Sequence, residues 1–189
     1  QMCIRDRVWT LTIPGGMGHP GSGTYFAGHY SESMKKLFTH SWNASTNQGQ
    51  ILAYDLSNPS NPPPLAWRYL ADSPSEILCS GDGKLFLGTT EGTVYALNGT
   101  TGERVWQTHA KGGLVQQSAI YYNGKLYTSA TTTQMTCFDG KTGEILWQYE
   151  KGPRAFSAYR GAAGHGMIFD TTVETDPHGW VYAWDAETG

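Results

Sequence analysis

Short apolar runs recur along this chain at a near-constant interval, each cut off by glycine, asparagine or aspartate. GKLFLGTT from Gly83, GKLYTSATT from Gly124 and GMIFDTT from Gly166 form one set, with KKLFTHSW from Lys35 as a looser fourth. A second set follows them: ILAYD ending at Asp55, VYALN at Asn98, TCFD at Asp139 and VYAWD at Asp185. Runs of this length bounded by turn residues read as strands. Segments such as LFL and VYAL are apolar on both faces, which suits a sheet sandwiched between two others. Each unit therefore predicts strand, GK-type turn, strand, short turn, strand, D/N-x-x-T-G turn, strand. That is a four-stranded antiparallel meander repeating about every 40 to 45 residues.

The last turn of the unit is written almost identically each time: NGTTGERVW from Asn98 to Trp106, DGKTGEILW from Asp139 to Trp147, and DAETG from Asp185. Asn98 or Asp139 can accept backbone N–H bonds to start the reversal, and Gly102 or Gly143 can take the positive φ that closes it. Beyond the turn, Ile145 and Trp147, like Arg104 and Trp106, share one side of an alternating strand. A large ring placed once per sheet can fill the wedge between neighbouring sheets. Trp67 and Trp9 fall at the same place in their own copies. The chain is thus expected to be all-β, a propeller arc of about four four-stranded antiparallel blades at approximately 24–70, 76–110, 114–150 and 157–189. The arc is read as incomplete at both ends: the fourth blade lacks its last strand, and Val8–Thr12 looks like the orphan last strand of a preceding one. Two apolar flanks follow from an arc. Either further blades cover them, the favoured reading, or Val8–Thr12 pairs with the fourth blade and shuts a small ring.

The units VYALNGTTGERVW, TCFDGKTGEILW and VYAWDAETG resemble the pyrroloquinoline-quinone-like (PQQ-like) propeller repeat, over nearly the whole chain after Arg7. Trp184-Asp185 stands before the TG turn and is not read as a WD-type signature. Two kinds of protein share the repeat, so the resemblance implies two functions. One is a non-enzymatic propeller acting as an extracytoplasmic binding or assembly scaffold, periplasmic or extracellular, with a protein partner or small ligand on its loop-rich rim. The alternative is part of a quinoprotein dehydrogenase that oxidises alcohols or sugars with PQQ and calcium. The scaffold reading leads. The segment AYRGAAGHGMIF retains Arg160 and Gly161, and the dehydrogenase reading would turn Arg160 toward the quinone; the adjacent cysteine pair common in alcohol dehydrogenases of the family is missing, with Arg154 and Ala155 about where it would stand.

Composition narrows the partners. With 39% hydrophobic and 13% aromatic residues the chain can bury a core, whereas 15% charged residues and a net charge of −3 leave no basic surface for nucleic acid. No apolar run is long enough to span a bilayer. The run MCIRDR, Met2–Arg7, resembles the translation of a transposon end used in making sequencing libraries, so residues 1–7 read as a non-native leader and 8–189 as a fragment of a longer propeller. Cys3, Cys79 and Cys137 form no metal-ligand spacing.

Loop chemistry supplies the remaining candidates. GMGHPG, Gly16–Gly21, matches G-x-G-x-x-G, but no helical period follows it to present an N-terminus to a phosphate. The fourth unit has TTVETDPHGWVY where the second has TTEGTVY. Its extra residues include Glu174 and Asp176, oxygen ligands able to hold calcium, and His178; a solvated acidic loop is the competing reading. That connection is expected on the same rim as 15–23, 43–48 and 152–156, while LSNPSNPPPLA lies on the opposite rim. His19, His29 and His40 lack metal spacing.

Overall fold

The computed structural model describes residues 28–43, 46, 48–57, 60–73, 75–89, 91–111, 115–130, 134–150, 161–172 and 180–189. Fifteen strands account for most of them, in four separate antiparallel sheets. The first sheet holds β1 (Gly28–Ser31), β2 (Lys36–Asn43), β3 (Gln48–Asp55) and β4 (Leu65–Ala71). The second holds β5 (Ser75–Gly81), β6 (Lys84–Thr89), β7 (Thr93–Asn98) and β8 (Arg104–His109). The third holds β9 (Val115–Tyr122), β10 (Lys125–Ala130), β11 (Gln134–Asp139) and β12 (Ile145–Glu150). The fourth has three strands, β13 (Ala162–Gly164), β14 (Met167–Thr172) and β15 (Trp180–Asp185). Within every sheet the strands lie in chain order, so each is a simple meander.

Local chemistry fixes the register. The first two strands of sheets two, three and four are joined by Asp82-Gly83, Asn123-Gly124 and His165-Gly166, and both residues of each pair have positive φ. Two consecutive positive φ values make the mirror-image turn whose twist matches that of paired strands. It sets Gly81 opposite Lys84, Tyr122 opposite Lys125 and Gly164 opposite Met167.

The sheets stand side by side about a common axis, because the first strands touch in succession: β1 meets β5, β5 meets β9, and β9 meets β13. Three apolar cores lie between sheets. Phe38, Ile51, Ala53 and Trp67 of the first sheet meet Leu85, Leu87, Tyr95 and Leu97 of the second. Phe86, Val94, Ala96 and Trp106 of the second meet Leu126 and Phe138 of the third. Tyr127, Met135, Cys137 and Trp147 of the third meet Ile168 and Ala186 of the fourth. Alternate residues of one strand thus serve opposite neighbours: Val94 and Ala96 face forward along the arc, Tyr95 and Leu97 face back. Each such side chain is worth about 1.5–3 kcal/mol of burial, which is why the middle strands are apolar throughout. Among the described residues the arc is open, and its last sheet shows it. Val181 of β15 is 70% exposed, whereas Val94 and Met135, at the corresponding places, are 0% and 2% exposed.

Candidate functional site

The repeated turn builds one rim of the arc. Asp139 Oδ1 accepts from the amides of Lys141 (2.9 Å) and Thr142 (2.7 Å) and from the Thr142 hydroxyl (3.0 Å). Asn98 and Asp185 accept from the two equivalent amides of their own turns. Gly102, Gly143 and Gly189 close the reversals with φ of 78°, 78° and 90°, each donating its amide back to the opening residue. A carboxylate collecting donors holds its charge more easily. The Thr142 amide first, with the Lys141 amide and the Thr142 hydroxyl beside it, keeps Asp139 below the usual aspartate range, and the amides of Thr188 and Glu187 do so for Asp185. The turn is also bonded to the neighbouring hairpin of its own sheet, Gly99 N to Gly83 O at 2.8 Å and Gly140 N to Gly124 O at 2.9 Å.

Each turn receives an indole from the preceding sheet. Trp67 donates its Nε1–H to Gly99 O at 3.0 Å and lies against Gly102; Trp106 donates to Gly140 O at 3.3 Å and lies against Gly143. A Cβ at Gly143 would sit 2.5 Å from the Trp106 ring, so glycine is required there for space as well as for φ. Within its own sheet each indole also packs on a second-strand ring: Phe38 with Trp67, Phe86 with Trp106 and Tyr127 with Trp147, centroids 5.7–5.9 Å apart.

The third contact departs from this scheme. Trp147 lies beside Gly189, yet its Nε1 is buried without a partner. The turn carbonyl it would reach, Ala186 O, instead accepts from the Tyr127 hydroxyl at 2.9 Å. Tyr127 stands where the other sheets have Phe38 and Phe86, so the donor has moved from the indole to the ring beside it. Neither exchange is visible as a motif. A tyrosine in an apolar strand reads as one more core ring.

The opposite rim carries the connections between sheets and between the second and third strands of each sheet, and it is where the sequence candidates were placed. Arg160, Glu174, Asp176 and His178 lie outside the described residues, as do Arg154, Ala155, His19 and the glycine-rich 15–23 stretch. Among the described residues no group of three or more His, Cys, Asp or Glu could hold a metal ion. His29 is on β1, its Nε2 2.8 Å from Ser80 Oγ of β5, and this pair ties the innermost strands of two sheets. The structure also buries two carboxylates that the sequence reading passed over. Glu76 lies on the innermost strand β5, and Asp170 on β14 accepts from Ser129 Oγ of the third sheet at 3.1 Å. The only signal for either was a charge interrupting an apolar run. Cys79 and Cys137 are unpaired, and burial pushes both thiols up to about 12, so neither is a nucleophile at neutral pH.

Four meander sheets set radially, three of them bearing a D/N-x-x-T-G turn against which an indole of the preceding sheet packs, define a β-propeller arc of the PQQ-like repeat class. A family model described as outer membrane protein assembly factor BamB matches residues 42–189, and the chain belongs to that family. No curated protein matches it by sequence. Among solved structures it is similar to BamB from Moraxella catarrhalis (17% identity, TM-score 0.64), with 82% of this chain and 44% of that one covered. It is also similar to a europium-containing methanol dehydrogenase (16% identity, TM-score 0.61), covering 82% and 38% of the two chains, and to the computationally designed Ika4 protein (14% identity, TM-score 0.69), covering 96% and 99%. The chain therefore spans less than half the length of the two natural relatives, and at these identities the likeness is one of fold.

Proposed function

We propose that this propeller arc is an extracytoplasmic binding or assembly scaffold that engages a protein partner through its loop-bearing rim. One observation carries the reading: the two rims are built differently. On one, the described turns of the second, third and fourth sheets are short and bonded within their sheet, the proline-rich β3–β4 connection of the first sheet, residues 56–64, being longer. On the other, the stretches between sheets lengthen from 72–74 to 110–114 to 151–161, and the stretch between β14 and β15, 173–179, is longer than its counterparts at 44–47, 90–92 and 131–133. Binding residues on loops held by a rigid scaffold follow the usual division of labour. Membership of the BamB family supports both the assembly role and a location at the periplasmic side of an outer membrane. The indole-on-turn contacts fit the same reading, a tryptophan-docked frame that holds its rim in fixed shape.

A photo-cross-linking amino acid placed at Glu91 or Lys111 on the loop rim, and separately at Asp82 or Lys141 on the turn rim, tests this in cell-envelope extracts. Cross-links to one defined protein from the first pair and none from the second are expected. Equal labelling from both rims would contradict it. The alternative, a quinoprotein alcohol or sugar dehydrogenase, rests on Arg160 as a quinone contact and Glu174 and Asp176 as calcium ligands. Alcohol-dependent dye reduction that appears only with PQQ and Ca²⁺ and is lost in Arg160→Ala would establish that reading in place of the scaffold.

A further inference from the structure

The chain has two Asn-Gly pairs, Asn98-Gly99 and Asn123-Gly124. In such a pair the glycine amide nitrogen can attack the asparagine side-chain carbonyl, because no Cβ on the following residue obstructs the approach. A C–N bond forms to the backbone, the side-chain nitrogen departs as ammonia with the proton the amide gives up, and a cyclic imide is left. Water then opens the imide at either carbonyl, giving aspartate or isoaspartate. The reaction requires a side chain free to turn and an amide free to meet it.

The structure holds the first pair shut. Asn98 opens the repeated turn of the second sheet, and its Oδ1 accepts from the amides of Thr100 at 2.9 Å and Thr101 at 3.1 Å. The attacking nitrogen is engaged as well, since Gly99 N donates to Gly83 O at 2.8 Å. Gly99 is buried, with Met34 packed on it so closely that a Cβ would stand 2.0 Å from the sulfur. Attack would require these hydrogen bonds to break and the methionine to lift.

The second pair has none of these restraints. Asn123 and Gly124 are the two central residues of the β9–β10 hairpin, with φ of 49° and 76°, between Tyr122 and Lys125, which face each other across the ladder. Both are exposed, and among the described residues neither the Asn123 side chain nor the Gly124 amide has a hydrogen-bond partner. A Cβ built on Gly124 meets nothing within 4 Å, so the surroundings of the pair are open. We propose that Asn123-Gly124 is a site of spontaneous backbone modification, where the imide forms and opens to aspartate and isoaspartate while Asn98 stays intact. The aspartate product fits. The matching turn of the second sheet already carries Asp82, whose carboxylate accepts from the Tyr121 hydroxyl at 2.6 Å. The isoaspartate product does not fit, because it routes the chain through the side-chain carbon and adds an atom to a turn whose paired positive φ values suit a two-residue loop. It therefore loosens the β9–β10 pairing. Isoaspartate is also the group that isoaspartyl carboxyl methyltransferases recognise, so a converted molecule becomes a substrate for that class of enzyme.

The test follows both asparagines by peptide mass spectrometry in the folded full chain, held in mildly alkaline buffer, and in the same chain unfolded in urea. In the folded chain Asn123 should convert at least about tenfold faster than Asn98. In urea the two rates should converge, since the restraint on Asn98 is structural. Equal rates in the folded chain, a difference that persists in urea, or a folded chain in which Asn123 stays intact while the unfolded one converts would each overturn the assignment. The products give a second readout. Isoaspartate should accompany aspartate at residue 123, and methyl transfer to the folded chain by an isoaspartyl methyltransferase should be lost in Asn123→Gln. Aspartate alone would mean direct hydrolysis without the imide, and labelling that persists in the variant would place the site elsewhere; either result would contradict the proposal.

Discussion

The contact between the second and third sheets and that between the third and fourth are built from the same repeat, yet they satisfy the same carbonyl in different ways. In the first, Trp106 fills the wedge and donates to Gly140 O, with Phe86 as an apolar support. In the second, Tyr127 takes the support position and its hydroxyl donates to Ala186 O, leaving the Trp147 Nε1–H unpartnered. Both keep an aromatic ring of the preceding sheet against the closing glycine, Trp106 at Gly143 and Tyr149 with Trp147 at Gly189. The wedge is thus the invariant requirement, and the hydrogen bond is met by whichever neighbour can reach. This ordering agrees with magnitudes: emptying a wedge of an indole costs about 3–5 kcal/mol, whereas one neutral hydrogen bond contributes about 1 kcal/mol.

Breaking the shared element should have the largest effect. Trp106→Ala is expected to destabilise the chain by about 3–5 kcal/mol, read as a shift in urea midpoint at unchanged slope; a near-neutral result would show the ring to be dispensable. Next come the glycines. Gly124 and Gly143 both have positive φ, but a Cβ at Gly124 meets nothing whereas one at Gly143 strikes Trp106. Gly124→Ala should cost about 1 kcal/mol of backbone strain, and Gly143→Ala at least about twice that because strain and overpacking add. Equal losses would mean that the indole does not press on the turn.

The hydrogen-bond exchange predicts a smaller difference. Tyr127→Phe should cost about 1 kcal/mol, because Ala186 O loses its donor. The effect should vanish if Trp147 swings its Nε1–H to the vacated carbonyl, as Trp106 does in the sheet before; thermal melts of the single variant decide between the two. The smallest effect is in pH. Asp139 opens its turn with a carboxylate where Asn98 opens the equivalent turn with an amide. The folded pKa of Asp139 is depressed, so its contribution is fully present above the ordinary aspartate value of about 4 and is lost as pH falls through the lower folded value. Asp139→Asn should therefore leave stability at neutral pH nearly unchanged and flatten its decline in acid. An unchanged acid limb would remove the carboxylate from the turn.

These contrasts also mark what the sequence could disclose. The turns were legible because their chemistry is local: an Asn or Asp and a Gly four residues later settle the reversal whatever surrounds them. The sheets were legible because alternate residues of strands such as VYAL serve two neighbours and leave an apolar run with a fixed period. The donor exchange at Tyr127 was not, since it joins residues 59 apart in the chain and each substitution looks neutral alone. The buried carboxylates Glu76 and Asp170 were missed for a related reason, a charge in a strand being more often solvated than enclosed. Arg160, Glu174 and Asp176 lie outside the described residues, so the loop rim rests on sequence and on the placement of the strands that bear it.

Indoles couple one sheet to the next, and a double-mutant cycle across the second and third sheets measures that coupling directly. Trp106 and Phe138 stack with centroids 6.2 Å apart and belong to different sheets. Trp106→Ala and Phe138→Ala, alone and together, should show a coupling of at least about 0.5 kcal/mol. Strictly additive losses would mean that the two rings do not meet, and that the sheets are not held together as described.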